Sequence, residues 1–125
     1  MIRIITDSGC DLPDAVLAQH RVEVVPLTVR FGDTDFVDRE DLTIDEFWHK
    51  LIEGEETPQT AAPSVGRFTE AFERLEAEGS DGIVVLCMSS AISATHRSAV
   101  LATEAFEGIP VRVVDSRLVS GALGL

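Results

Sequence analysis

Lysine is almost absent. Lys50 is the only one, and ten basic residues stand against 22 acidic ones, for a formal net charge of −12. That deficit speaks against nucleic acid, whose phosphates are met by Lys and Arg. It speaks equally against docking on an anionic membrane surface. A chain this acidic can hold an anion only locally, with hydroxyls, backbone amides and helix ends. Long apolar runs are missing too, none approaching the ~20 residues of a membrane span. The opening residues show no basic segment followed by an apolar core, so no signal peptide is expected and the expected location is cytoplasmic. Cysteine is scarce. Cys10 and Cys87 lie far apart with no CxxC, and two buried thiols are expected rather than a disulfide.

Several catalytic signatures are also lacking. No GxGxxG follows the first apolar run and no GxxxxGK[ST] occurs, which removes the common nucleotide loops. HExxH is absent, and His20, His49 and His96 show no metal-ligand spacing. GxSxG is absent, which removes the α/β-hydrolase elbow. Ser93 and His96 sit three residues apart and could touch across one helical turn, but a triad needs a third group to orient the histidine. Asp7, Asp11 and Asp115 could gather as a metal cluster, although Asp is also the ordinary cap and turn residue. The acidic stretch Gly32–Asp45 lacks EF-hand spacing and reads as a solvated loop.

What is present is a core-forming composition: 125 residues, 45% of them hydrophobic, enough for one domain. The chain is organised around Gly82–Ser98. An apolar run, Ile83–Met88, reads as a buried strand. It ends in a hydroxyl-rich turn, and Ser93 is expected to cap the following helix. A strand, a polar turn and a helix N-terminus in succession can build an anion site.

Residues 2–6 read as a first strand. A short helix over Pro13–His20 follows, capped by Asp11. Val22–Phe31 alternates apolar and polar residues and reads as one strand, bent or at an edge where Pro26 interrupts it. Thr43 and Glu46 form a capping box for a helix through Ile52, with Phe47, Leu51 and Trp48 facing inward. Gly54–Pro63 reads as a loop holding Thr57 and Thr60. Ser64 caps a helix to Glu78, with Val65, Phe68, Phe72 and Leu75 on one stripe. The helix after Ser93 buries Ala99, Ala102 and Phe106 and ends near Gly108, and Pro110–Val114 is a last strand. Strands alternating with helices indicate an α/β fold, a parallel sheet with helices on both faces. Ligands bind such sheets beyond the strands' carboxyl ends. The turns at Asp7-Ser8, Ser89–Ser93 and Asp115-Ser116 are expected there, together with the Thr60 loop.

Four segments carry a resemblance: TDSGCDLP (6–13), PQTAAPS (58–64), SSAISATHRSA (89–99) and VVDSRLVSGALGL (113–125). In order and spacing they resemble the DegV family of bacterial fatty-acid-binding proteins, and DREDLTIDEFW (38–48) looks like its acidic segment. The resemblance implies an N-terminal α/β lobe over residues 1–125 and a C-terminal lobe missing from this chain, with a fatty acid held between them. It implies a role like that of the lipid-binding subunit of fatty acid kinase, which presents an acyl carboxylate to a partner kinase. By position, Thr60, Ser93 and Thr95 match the family's hydroxyl residues, with Ala61 and Ala94 beside them. Asp7, Ser8, Asp115 and Ser116 match its two Asp-Ser pairs as secondary candidates.

The chain departs from the family where Ala61 and Ala62 replace Ser and Gln, and where Ala91 and Ala94 replace glycines. Ala61 could then contribute only its backbone. The implied protein is not an enzyme and uses no cofactor or metal. Two other readings stay open: a serine-dependent acyl hydrolase using Ser93 and His96, and a regulatory α/β module with an incidental anion site.

Overall fold

The computed structural model describes residues 1–123. Its first layer is a four-stranded parallel sheet in the order β2-β1-β6-β7. These strands are β1 (Ile2–Asp7), β2 (Glu23–Val25), β6 (Gly82–Cys87) and β7 (Val111–Asp115). A second sheet is antiparallel, in the order β4-β3-β5, with β3 (Thr28–Phe31), β4 (Thr34–Val37) and β5 (Gln59–Ala61). Four helices complete the fold: α1 (Asp14–Gln19), α2 (Ile44–Glu53), α3 (Val65–Ala77) and α4 (Thr95–Ala105).

The main core lies on one face of the parallel sheet. Alternate residues Ile5, Ile83, Val85 and Cys87 point there and are closed over by Phe68, Phe72 and Leu75 of α3 and Ala99 and Ala102 of α4. Burying each large side chain contributes ~1.5–3 kcal/mol. The small alanines let α4 approach the sheet closely. Helix α3 starts where expected, with Ser64 Oγ accepting from the Arg67 N–H at 3.2 Å. The opposite face is covered more thinly, by Leu17 of α1 and by Leu123 in a 3₁₀ turn over Ser120–Leu123, packed with Leu86 and Met88. Ile2, Ile4 and Val114 stay exposed on it. The parallel α/β sheet with helices on both faces is therefore as expected.

The second sheet is the main difference from the sequence reading. Val22–Phe31 is not one strand: it divides at Pro26 into β2 and β3, which belong to different sheets. Gly32–Asp45 is not wholly a loop, because β3 and β4 form a hairpin with Phe31 paired to Thr34. Gly32 has φ +59°, the positive value that a type II′ turn places at its first central residue. Gly54–Pro63 likewise contains β5, paired to β3.

Helix α2 begins on its Thr43–Glu46 capping box, as read. Only Phe47 of its three expected inward residues is seated, against Phe31 at 5.9 Å between ring centroids. Trp48 and Leu51 are exposed. Asp11 does not cap α1. It lies in the left-handed region at φ 52°, and Pro13 occupies the cap. The segment VSGALGL forms the 3₁₀ turn as far as Leu123, and its last two residues lie outside the described ones. Cys10 and Cys87 are buried free thiols.

Candidate functional site

A cleft of about 820 Å³ opens where the carboxyl ends of β1 and β6 face the second sheet and α2. Its apolar wall includes Leu27, Val29, Phe47 and Met88, with Ile44, Trp48 and Ile92 at its rim. Its polar lining includes Ser8, Thr60 and Ser93, and its charged lining Asp11, Asp38 and Arg39. Thr60 reaches the cleft because β5 pairs with β3 in a register that sets Thr60 opposite Val29. Directly paired residues share a face, and their neighbours along the strand point away. Ala62 lines the cleft and Ala61, between them, does not.

Ser93 and Ala94 line the cleft from the turn before α4. Ala94, not Ser93, is the residue at the cap position, and its methyl offers no acceptor. Ser93 nevertheless serves the helix start from one residue earlier, its Oγ accepting from the Thr95 N–H at 3.2 Å. The same oxygen lies 2.8 Å from Thr95 Oγ1. Thr95 is fully buried, and Ser93 is the only described partner of its hydroxyl. A Thr95 hydroxyl donating to Ser93 leaves the Ser93 proton directed outward, into the cleft. His96 is not a hydrogen-bond partner of Ser93 among the described residues.

The two Asp-Ser pairs fare differently. Asp7 is fully buried at the end of β1 and clamps that end to the next strand. Its carboxylate accepts from the Gly9 N–H and from the Met88 N–H, each at 2.9 Å. Burial pushes its pKa up, and the amide bonds oppose this. A Cβ at Gly9 would lie 2.1 Å from Met88 Cε and 2.9 Å from Asp7 Oδ1, so a larger residue here would displace the Met88 methyl and press on the Asp7 carboxylate. Ser8 is buried, lines the cleft, and accepts from the Leu27 N–H at 2.9 Å.

Asp115 and Ser116 stand outside the cleft. Asp115 accepts from the Ser90 and Arg117 N–H groups, each at 3.1 Å, and from the Ser90 hydroxyl. The Ser90 bonds hold its carboxyl below the ordinary range. Ser116 Oγ accepts from the Leu118 N–H at 3.0 Å, and the Leu118 carbonyl in turn accepts from the Ser89 N–H. This pair supports the serine turn from behind.

Asp7, Asp11 and Asp115 do not gather: among the described residues no three or more His, Cys, Asp or Glu side chains could hold a metal ion. No described helix is long and apolar enough to cross a membrane. Sequence reasoning missed Arg39, which carries φ 66° and donates to the Leu12 carbonyl and to Asp14, each at 3.1 Å. It ties the second sheet to the loop after β1. No sequence pattern marks it. For the hairpin that brings the second sheet in, the Gly32-Asp33 pair was the readable signal.

Fold and cleft together define an α/β protein with an apolar and hydroxyl-lined cleft beyond the carboxyl ends of its parallel strands. The model of the DegV family of uncharacterised proteins matches residues 1–125, and the chain belongs to that family. A DegV domain-containing protein of Listeria monocytogenes is 37% identical over 124 residues, which is 99% of this chain and 44% of the relative. A DegV lipid-binding protein from Thermotoga maritima superposes with a TM-score of 0.91 at 35% identity, covering 98% of this chain and 44% of that one. A stearic acid-binding protein from Eubacterium ventriosum superposes at 0.87 and 30% identity, covering 96% and 43%. The chain thus spans less than half the length of these proteins.

Proposed function

We propose that residues 1–125 form the N-terminal lobe of a two-lobe protein that binds a long-chain fatty acid, and that this lobe supplies the carboxylate subsite. The observation that carries the reading is that Thr60 and Ser93, from different sheets, line one cleft whose remaining wall is largely apolar. Both hydroxyls would donate to the acid. The start of α4, at Ala94, adds the positive end of a helix, while the Thr95 N–H is held by Ser93 Oγ. Thr95 positions Ser93, and Ala61 can take part only through its backbone. Leu27, Val29, Phe47 and Met88 offer the acyl chain an apolar path. The volume is within the ~300–1,000 Å³ of ligand clefts. The ligands carried in the names of the Thermotoga and Eubacterium proteins support the same chemistry.

In this reading the protein acts in the cytoplasm, uses no cofactor, and catalyses nothing itself. It presents the bound carboxylate to a partner kinase. Asp7, Asp115 and Ser116 brace the turns around the subsite. The hydrolase reading is disfavoured because the Ser93 hydroxyl is engaged by Thr95 and not by His96. Denaturing extraction and mass spectrometry of the intact protein tests the proposal. Stoichiometric long-chain fatty acid is expected. Repeated extraction of none, with no rise in melting temperature on adding palmitate, would overturn it.

A further inference from the structure

We infer that the Ser8 hydroxyl is a third donor to the ligand's carboxylate, aimed by the backbone of Leu27. This rests on the fatty-acid reading and adds a residue to its polar subsite. The reason starts at Pro26, which ends β2 and sends the chain into the second sheet. The Leu27 N–H, at that crossing, is taken by Ser8 Oγ at 2.9 Å. A hydroxyl has one proton to give and two lone pairs to offer. With a lone pair committed to Leu27, the Ser8 proton must point elsewhere, and no described residue accepts it. Ser8 is only 2% exposed, and it lines the same cleft as Thr60 and Ser93.

Buried donors without an acceptor are rare and costly. The cleft is the direction from which an acceptor can come. A carboxylate suits the vacancy chemically, since its two oxygens offer about four acceptor positions and Thr60 and Ser93 would use two. Ser8 also differs from Ser90 and Ser116 behind the site. Ser90 gives its hydroxyl to Asp115, and Ser116 exchanges hydrogen bonds with Leu118. Their protons are already placed.

The test uses the full-length protein with palmitic acid and with 1-hexadecanol, which has the same tail and no charge. Ser8→Ala should weaken palmitate about tenfold, the loss expected for one hydrogen bond to a charged group. Hexadecanol should weaken by less than about threefold, because bonds to neutral acceptors are roughly half as strong. Equal losses for both ligands, or no loss for either, would assign Ser8 to bracing Leu27 alone and overturn the inference. Should Ser8→Ala not fold, a crystal structure of the wild-type protein with palmitate decides. Ser8 Oγ is expected about 2.5–3.0 Å from a carboxylate oxygen, and a separation above about 3.5 Å overturns the inference. Wild-type protein that binds no palmitate would overturn the fatty-acid reading itself, a result separable from failure at Ser8 alone.

Discussion

Ser93 Oγ and Thr95 Oγ1 lie 2.8 Å apart, with Thr95 wholly buried and Ser93 on the cleft. Thr95 therefore sets which way the Ser93 proton points. Thr95→Val keeps the shape and removes that control. Fatty-acid affinity of the full-length protein should fall about fivefold, the effect of ~1 kcal/mol. Thr95→Ser should restore most of it. Isothermal titration with palmitate measures both, and a Val variant that binds like wild type would remove Thr95 from the site.

Ser93→Ala should weaken the same binding by about tenfold to a hundredfold, because it removes a hydrogen bond to a charged group. Thr60→Val should act in the same direction. The two losses should not add if both hydroxyls meet one carboxylate. His96→Ala should change little. An activated phosphonate separates binding from hydrolysis: no adduct is expected at Ser93, and labelling there that depends on His96 would establish a hydrolase.

Cys87 is walled in beneath the sheet, and burial, with the charges of Asp7 and Asp115, pushes its thiol up to about 12. Burial raises Cys10 as well. Iodoacetamide near neutral pH should therefore modify neither cysteine in the folded protein, and both in urea. The raised pKa also fixes a sign. The stability tied to the neutral Cys87 thiol is fully present below its ordinary value near 9.0 and is lost as pH rises toward about 12. Cys87→Ala should flatten that alkaline decline in urea melts, and an unchanged slope would contradict the assignment.

Asp7 is raised by burial from its ordinary value of 3.8. Its contribution is therefore greatest below that value and declines as pH rises through the raised one. Asp115, held low by Ser90, works in the opposite sense and loses its contribution as pH falls through its lowered value. Asp7→Asn lacks the first effect. Relative to wild type, the variant should gain stability as pH rises from about 4 upward. Chemical denaturation at several pH values measures the difference, and a difference that falls with pH would mean the Asp7 carboxyl is not raised.

The parallel sheet was legible in the sequence because its strands are buried on the α3–α4 side and α3 announces its start. Ser64, and Thr43 with Glu46, cap where they were expected to. The second sheet was hidden for a physical reason. All three residues of β5 are exposed, and β4 shows two exposed residues of four. Such strands exist because β3 offers them two edges, not because their own patterns demand extension. The cleft inherited this difficulty. Thr60, in the strand without a pattern, was read as part of a loop near the crevice, and its role as a ligand hydroxyl came only from the resemblance. The outward turn of Trp48 depends on packing against a sheet that had not been foreseen. Ser93 was read correctly as a helix-start hydroxyl but one position too late in the capping scheme, because Ser93-Ala94-Thr95 offers two hydroxyls that serve each other.

The scarcity of lysine has a practical side. The Lys50 ammonium sits over the rings of Phe31 and Phe36, 5.9 and 5.1 Å from their centroids, at the seat of α2 on the second sheet. Apart from the α-amino group, which meets Asp81, no other primary amine exists in these 125 residues. Acylation chemistry thus has a single side-chain address in these residues, and it lies at a structural joint. The rate at which Lys50 is acylated, followed with and without lipid, would report whether α2 lifts from that joint when the cleft fills.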